Sequence, residues 1–385
     1  MKFLHISDLH LGKRVYEFSM AEDQEYILSQ IVSIAEKEQA DAVIIAGDIY
    51  DKPVPSVEAV QIFDRFLTAL AERKIEVFLI SGNHDCAQRI AFGAQLMSGR
   101  GVYVSPVYDG TIAPISLRDE YGELSVYLLP FIRPAVVRRV WEKEGQAHLP
   151  ESYQEALALV ISRMEIDREK RNILAAHQFV TGAGRCESEE IVVGGLDQVD
   201  AQLFDAFDYV ALGHIHSPQC IGRETVRYCG TPLKYSFSEA EQEKSVTVVE
   251  CREKGQTYVC TVPLHPLHDM RVIRGTYLEL TARSFYQDMD TKDYIKAVLT
   301  DEEDIPDGIR KLRILYPNLL QLSYDNSRTR QEQLIEAAEE VEHKSELELF
   351  EEFYERQNNQ PMSTKQRTYL IHLLEEIRRG AHETD

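Results

Sequence analysis

The sequence predicts an α/β protein: a large domain of strands and helices, a small α/β module, and a helical tail. Three observations carry this. Over roughly the first 265 residues, short apolar runs rich in β-branched residues alternate with stretches of helical periodicity. The pattern breaks at residues 263–266, which read Pro-Leu-His-Pro. Beyond Gln331 the chain becomes acidic with helical spacing throughout.

Residues 3–6, 42–46, 77–80, 173–176 and 209–212 are nearly continuous in apolar residues, which suits strands buried on both faces. Between the first two, residues 20–39 place Tyr26, Ile27, Ile31, Ile34 and Ala35 at helical spacing. Residues 57–73 do the same with Ile62, Phe63, Phe66, Leu67 and Leu70. Residues 124–129, 226–229 and 244–250 read as further strands, antiparallel or at a sheet edge. The small module reads as a strand over 271–280, a short helix around 294–299 and a strand over 309–316. Two helices follow, over 331–357 and 363–379, separated by Asn-Asn-Gln-Pro at 358–361. The expected units are therefore 1–265, 271–325 and 331–385.

Composition bounds the function. With 44% hydrophobic and 28% charged residues, the chain can build a sizeable core and is not expected to be disordered. No apolar run approaches the ~20 residues that span a bilayer. The start, Met1-Lys2-Phe3-Leu4-His5-Ile6-Ser7-Asp8, lacks a signal-peptide core, so a cytoplasmic protein is expected. Six dispersed cysteines without a Cys-x-x-Cys pair read as reduced thiols. A net charge of −22 argues against a free-standing nucleic-acid binder, unless metal ions or a partner hold the polyanion.

The chemistry sits where the strands end. Residues 3–6 lead into Asp8-Leu9-His10, residues 42–46 into Gly47-Asp48, and residues 77–80 into Gly82-Asn83-His84-Asp85. Residues 173–176 lead into His177, and residues 209–212 into Gly213-His214-Ile215-His216. Carboxyl ends of strands are where sites assemble in α/β sheets. Two carboxylates, one amide and four imidazoles can hold two divalent ions side by side. Ions ~3.5–4 Å apart would clamp a phosphate and generate hydroxide from a bridging water. Mixed oxygen and imidazole ligation favours Mn²⁺, Fe²⁺ or Zn²⁺ over Mg²⁺ or Ca²⁺. Gly47, Gly82 and Gly213 are expected to let the backbone turn sharply into the site.

These motifs resemble the signature of the calcineurin-like metallophosphoesterases. Ser7-Asp8-Leu9-His10-Leu11-Gly12, Gly47-Asp48-Ile49-Tyr50-Asp51, residues 208–216 and residues 228–237 are similar to its SbcD branch, the nuclease subunits of bacterial SbcCD complexes. The resemblance implies an α/β sandwich with a small capping domain and a helical tail. It implies one metal held by Asp8, His10 and His216, a second by Asn83, His177 and His214, and Asp48 bridging both, with Mn²⁺ the expected ion. It gives His84 the departing oxygen, which suits an imidazole that titrates near neutrality, and Asp85 the task of orienting His84. It further implies 3′-to-5′ exonuclease action on duplex ends and endonuclease action on single strands and hairpins, in DNA repair, recombination and replication near the nucleoid. The implied partner is an SbcC-type SMC-like ATPase, docked on the C-terminal helices, within a heterotetramer containing a homodimer of this chain. Leu347, Phe350, Phe353 and Tyr354, then Tyr369, Leu370, Leu373, Leu374 and Ile377, form apolar stripes that suit such docking. Weak, salt-sensitive DNA binding by the isolated chain is expected.

Plainer readings compete. His5 is expected to be a packed histidine, His265 and His268 inert linker residues, and Asp51 a turn residue. Residues 228–237 read as a turn on the sheet edge. The same ligand set serves protein phosphatases and cyclic-nucleotide phosphodiesterases, but those need neither capping module nor partner-binding tail. A non-catalytic scaffold is disfavoured by the intact ligand set with His84 present.

Overall fold

A computed structural model describes residues 1–145, 149–184, 186–189, 198–327, 329–330 and isolated positions between 350 and 370. Five strands carry the ligand motifs: β1 (Lys2–Ile6), β2 (Ala42–Ala46), β3 (Glu76–Ile80), β4 (Arg171–His177) and β5 (Tyr209–Gly213). They divide between two six-stranded sheets. In the first, Thr257–Pro263 and Ser245–Cys251 precede β1, β2, β3 and Val102–Val104. In the second, Gln219–Ile221 and then Arg223–Tyr228 precede β5, followed by β4, Gly122–Leu129 and Ile115–Asp119. Two expected secondary strands are mixed in direction and central rather than at an edge. Gly122–Leu129 is parallel to β4 and antiparallel to Ile115–Asp119, and Arg223–Tyr228 is parallel to β5 and antiparallel to Gln219–Ile221, both inside their sheet. Ser245–Cys251 is antiparallel to β1, as expected, and also lies inside its sheet.

The two sheets pack face to face, and this explains the near-continuous apolar runs. In β2, Ala42 and Ile44 meet the opposite sheet in a core with Phe3, Phe78, Val126, Ile173, Tyr209 and Ala211. Val43 and Ile45 point the other way, into a core with the helices α1 (Ala21–Lys37) and α2 (Val57–Glu72). Leu174, Ala176, Val210 and Leu212 likewise turn outward, onto helices Pro134–Lys143 and Tyr153–Ser162 through Val137, Trp141, Leu157 and Val160. Each fully buried Ile or Phe contributes roughly 1.5–3 kcal/mol. The helix α2 begins where Ser56 Oγ accepts from the Ala59 amide at 3.2 Å. His5 is a packed histidine, as expected: fully buried, it lies 2.9 Å from Tyr209 Oη and 3.2 Å from the Leu212 carbonyl. Burial, and then the nearby Arg227, lowers its pKa to about 3, so the ring is neutral.

The small module holds three parallel strands, Met270–Gly275, Tyr294–Leu299 and Leu319–Tyr324, around its own core of Ile273, Leu280, Ile295, Leu299, Leu312 and Tyr316. Two expectations are overturned here. Residues 294–299 form a strand, because six residues with alternating burial suit a sheet and are too few for a helical stripe. Within 309–316 the backbone is helical over Gly308–Leu312, since Leu312 and Tyr316 recur at i, i+4 and both are buried. The strand expected over 271–280 ends at Gly275, where Thr276 and Glu279 form a capping box that starts helix Tyr277–Thr281.

The module is tied to the body. The buried Asp23 carboxylate of α1 accepts from Tyr294 Oη at 2.8 Å and from the His268 amide at 3.0 Å. Tyr16 Oη donates to Gln321 Oε1 at 3.0 Å. His268 is therefore a junction residue rather than an inert linker. Of the expected C-terminal stripes, Leu347, Phe353, Leu373, Leu374 and Ile377 lie outside the described residues. Phe350 and Tyr369 are exposed and Leu370 is buried. Among the described residues no helix is long and apolar enough to cross a membrane.

Candidate metal centre

All five loops open at one edge of the sandwich, and the backbone there is unusual. Asp8, His10, Asp48 and His214 all have positive φ, at 53°, 44°, 49° and 99°. Aspartate and histidine tolerate this region better than most residues, at a cost on the order of 1–3 kcal/mol each. Main-chain bonds hold the conformation: the amides of Asp8, His10 and Leu11 donate to the carbonyls of Gly47, Asp48 and Ile49 at 3.0, 3.0 and 2.9 Å. The three glycines act differently from one another. Gly47 needs its φ of +90°, and a Cβ there would also lie 2.4 Å from His177 Nδ1. Gly82 and Gly213 do not take positive φ; a Cβ would fall 2.1 Å from Asp48 Oδ1 and 1.9 Å from the Ala46 carbonyl oxygen, respectively. At these two, close approach rather than a sharp turn demands glycine.

The structure brings all seven expected ligands together. His10 Nε2 and His216 Nε2 face each other at 3.2 Å, with Asp8 completing a group whose donor atoms lie within 4.8 Å of one another. On the other side, Asn83 Oδ1 meets His177 Nε2 at 2.9 Å and His214 Nδ1 at 3.0 Å. Asp48 stands between them, its Oδ2 lying 3.8 Å from His10 Nε2 and 3.4 Å from His177 Nε2. The two groups draw on both sheets: Asp8, His10, Asp48 and Asn83 follow strands of the first, and His177, His214 and His216 come from the second. His84 Nε2 is 3.9 Å from Asp48 Oδ2, while its Nδ1 is fixed by the Asp51 carbonyl at 3.0 Å and its amide donates to Asp48 Oδ1 at 2.9 Å.

Electrostatics separate the roles. Burial opposes a charge on Asp48, yet the His177 ring beside it holds the carboxyl well below the usual range. Burial likewise works against a charged His177, but the Asp48 carboxylate raises its pKa to about 9. Burial drives His10 well below its ordinary value, leaving a neutral ring with one nitrogen lone pair to offer. Burial raises Asp8, and Asp48 adds to the effect. His177 Nδ1 lies 2.8 Å from the Ala46 carbonyl and donates to it, leaving Nε2 to face Asp48 and Asn83.

One expectation changes. The Asp85 carboxylate accepts from the amides of Ile49 and Tyr50, both at 3.0 Å, and of Gly82 at 2.9 Å. It staples the second loop to the third, and the ring of His84 is oriented by the Asp51 carbonyl instead. Burial, then Asp48, pushes Asp85 up to about 6. Several supporting residues escaped sequence reasoning. Phe131 packs against His177 and His214, with ring centroids 6.1 and 6.3 Å away. Residues 228–237 do not merely form an edge turn: Tyr235 donates to the Leu9 carbonyl at 2.5 Å, and its ring sits edge-on to His10. Ser188, Glu189, Glu239 and Lys244 surround His216.

The donor set fits divalent cations. Facing imidazole nitrogens at 3.2 Å, both buried, and an amide oxygen between two further imidazoles form two pockets of mixed nitrogen and oxygen ligands. Residues 1–218 match the family described as calcineurin-like phosphoesterase, and residues 266–358 match one described as type 5 capsule protein repressor C-terminal domain. The chain is 33% identical over 381 residues to a Staphylococcus epidermidis protein named as the D component of the nuclease SbcCD, covering 97% of this chain and 98% of that one. A solved dimetal phosphatase from Danio rerio is 11% identical, with a TM-score of 0.42, covering 69% of this chain and 98% of that one. The chain belongs to the calcineurin-like phosphoesterases.

Proposed function

We propose that this chain is the nuclease component of an SbcCD-type complex: a Mn²⁺-dependent DNA phosphodiesterase with 3′-to-5′ exonuclease and single-strand or hairpin endonuclease activity. The observation that carries the reading is the end-to-end similarity to the D component of a nuclease SbcCD, which includes the small module as well as the metal-binding half. Asp8, His10 and His216 would hold one ion, Asn83, His177 and His214 the other, and Asp48 would serve both. When bound, the pair supplies Lewis-acid polarisation of a phosphate and activation of water.

The chain's own residues do the rest. Asp48 is kept ionised between the two groups. His84, with Nδ1–H given to the Asp51 carbonyl, presents Nε2 beside Asp48 and, as the doubly protonated imidazolium, gives the Nε2 proton to the departing 3′-oxygen. Asp85 holds the loops that carry Asp48 and His84 in register. Residues 1–265 form the nuclease domain, 271–325 cap it, and 331–385 dock on an SMC-like ATPase in the cytoplasm, where the complex serves DNA repair, recombination and replication.

The test is cleavage of end-labelled linear duplex and hairpin DNA with Mn²⁺ or EDTA, with and without the ATPase. Wild type runs beside His84→Gln and Asp48→Asn, with p-nitrophenyl phosphate as the monoester control. Mn²⁺-dependent cutting is expected, lowered by roughly 10²–10⁴-fold in His84→Gln and abolished in Asp48→Asn. Monoester turnover with DNA left intact would favour a phosphatase.

A further inference from the structure

His216 is gripped at three atoms by three side chains. Its amide donates to Glu189 Oε1 at 2.7 Å. Its carbonyl accepts from Lys244 Nζ at 3.0 Å. Its Nδ1 lies 2.7 Å from Ser188 Oγ, and Ser188 Oγ donates to Glu239 Oε1 at 2.6 Å. Since the Ser188 hydroxyl proton goes to the carboxylate, its oxygen is free to accept from the ring. The direction is therefore set: Nδ1–H to Ser188 Oγ, Oγ–H to Glu239. The tautomer that results leaves the lone pair on Nε2, the atom that faces His10 Nε2 across 3.2 Å.

The far end of this relay is anchored. Glu239 is 0% exposed, and its Oε2 takes Lys244 Nζ at 2.6 Å. The same ammonium donates to Thr231 Oγ1 at 2.7 Å and Gln242 Oε1 at 2.8 Å. A fixed anion thus stands behind the serine. Among the described residues the other ring of this pocket has no such hydrogen-bonded relay: His10 Nδ1 is buried without a hydrogen-bond partner, and Asp51 Oδ1, paired with Lys13, stands 3.8 Å from it with no hydroxyl between.

We propose that Ser188 and Glu239 are positioning residues for His216, a relay that selects its Nδ1-protonated tautomer and thereby tunes the affinity of the Asp8–His10–His216 pocket alone. This rests on the ligand assignment given above. In the second pocket His177 takes its order from main chain, through the Ala46 carbonyl. Outer hydrogen bonds of this kind change metal affinity by roughly 10–100-fold.

The experiment uses the full chain and Mn²⁺ alone. Titration of wild type, followed by calorimetry and by the electron paramagnetic resonance of free Mn²⁺, is expected to show two equivalents bound. Ser188→Ala and Glu239→Gln are expected to weaken one equivalent by roughly 10–100-fold and leave the other unchanged, with Ser188→Thr restoring it. Glu239→Gln leaves Lys244 without its anion and can fail to fold, so Ser188→Ala, which removes no charge, carries the test. A second readout needs no metal. In mildly alkaline buffer, ¹⁵N spectra of labelled histidine should show His216 protonated on Nδ1 in wild type and shifted toward Nε2–H in Ser188→Ala. Wild-type affinity for both equivalents, or an unchanged tautomer, in Ser188→Ala would overturn the proposal. Uptake of fewer than two equivalents by wild type would overturn it together with the ligand assignment. Two equivalents without DNA cleavage would sink the nuclease reading while the relay still stands or falls on the titration.

Discussion

The two ends of the same strands make opposite use of charge. At the carboxyl ends, Asp8, His10, Asp48 and His214 sit at positive φ, and buried polar groups crowd within 4.8 Å of one another. At the amino ends the charges are matched. Arg171, at the start of β4, pairs with Asp119 at 2.5 Å and donates to the carbonyls of Cys251 and Arg252 at 3.2 and 3.0 Å. The Met1 amine reaches the same carboxylate at 2.6 Å. Arg171 thus fastens the second sheet to the first at the end away from the positive-φ loops. One end is satisfied by the chain itself, whereas the other is built to be completed by something the chain does not contain. The difference teaches that the fold gathers its unmatched buried polarity at the functional edge and matches its charges at the opposite one.

The comparison can be broken most severely at Gly213. Its Cβ would meet the main chain of Ala46, which cannot step aside as a side chain can. Gly213→Ala is expected to cost on the order of 4 kcal/mol or more in urea unfolding. A loss below that of the next variant would show that the functional edge is softer than its geometry implies.

Asp119→Asn tests the fastened end, leaving the buried Arg171 unmatched at a cost of about 3 kcal/mol. This loss should depend on pH. Although burial works against it, the Arg171 and Met1 partners hold the Asp119 carboxyl well below its ordinary range. A depressed folded-state pKa means the contribution is complete above the unfolded value and fades as pH falls through the folded one. Below about pH 4 the wild-type urea midpoint should therefore fall toward that of Asp119→Asn. A gap that stays constant with pH would refute the ion pair.

Saturating Mn²⁺ sharpens the contrast from the other side. At about 100 times the dissociation constant, each occupied site adds about 2.7 kcal/mol to unfolding stability, and EDTA removes it. Asp119→Asn should keep this gain in full, and Asp48→Asn should lose it. The smallest effect is expected from Tyr235→Phe. Losing the bond to the Leu9 carbonyl should cost about 1 kcal/mol and leave Mn²⁺ stoichiometry unchanged.

Much of this was legible in the sequence, for identifiable reasons. Apolar runs such as residues 42–46 announce strands, and a chain that ends each run in Asp, Asn or His announces a shared edge. The split into two sheets was not legible from the residues, because strands buried on both faces show no period of two by which to sort them. Residues 294–299 and 309–316 exchanged roles because runs of six to eight apolar-rich residues fit either element until neighbours choose. Asp85 sits next to His84 in sequence, yet its carboxylate turns to the amides of Ile49 and Tyr50, about 35 residues away. Ser188 and Glu239 reach His216 only through the tertiary fold, from 28 and 23 positions along the chain, so no local motif marks them.

The distribution of ligands between the sheets has a mechanical side. Under the proposed assignment, each cation takes ligands from both leaves of the sandwich, as a clasp joins the covers of a book whose spine is the bonds from Arg171 to the Cys251 and Arg252 carbonyls and from Met1 to Asp119. Binding and closure are then reciprocal: any influence that spreads the leaves weakens each ion by the same factor by which the ion resists the spreading. The small module holds the first leaf, through Asp23 on α1 and Tyr16. A partner that pulls on the module would load one cover of the book, and the force would arrive at the clasp.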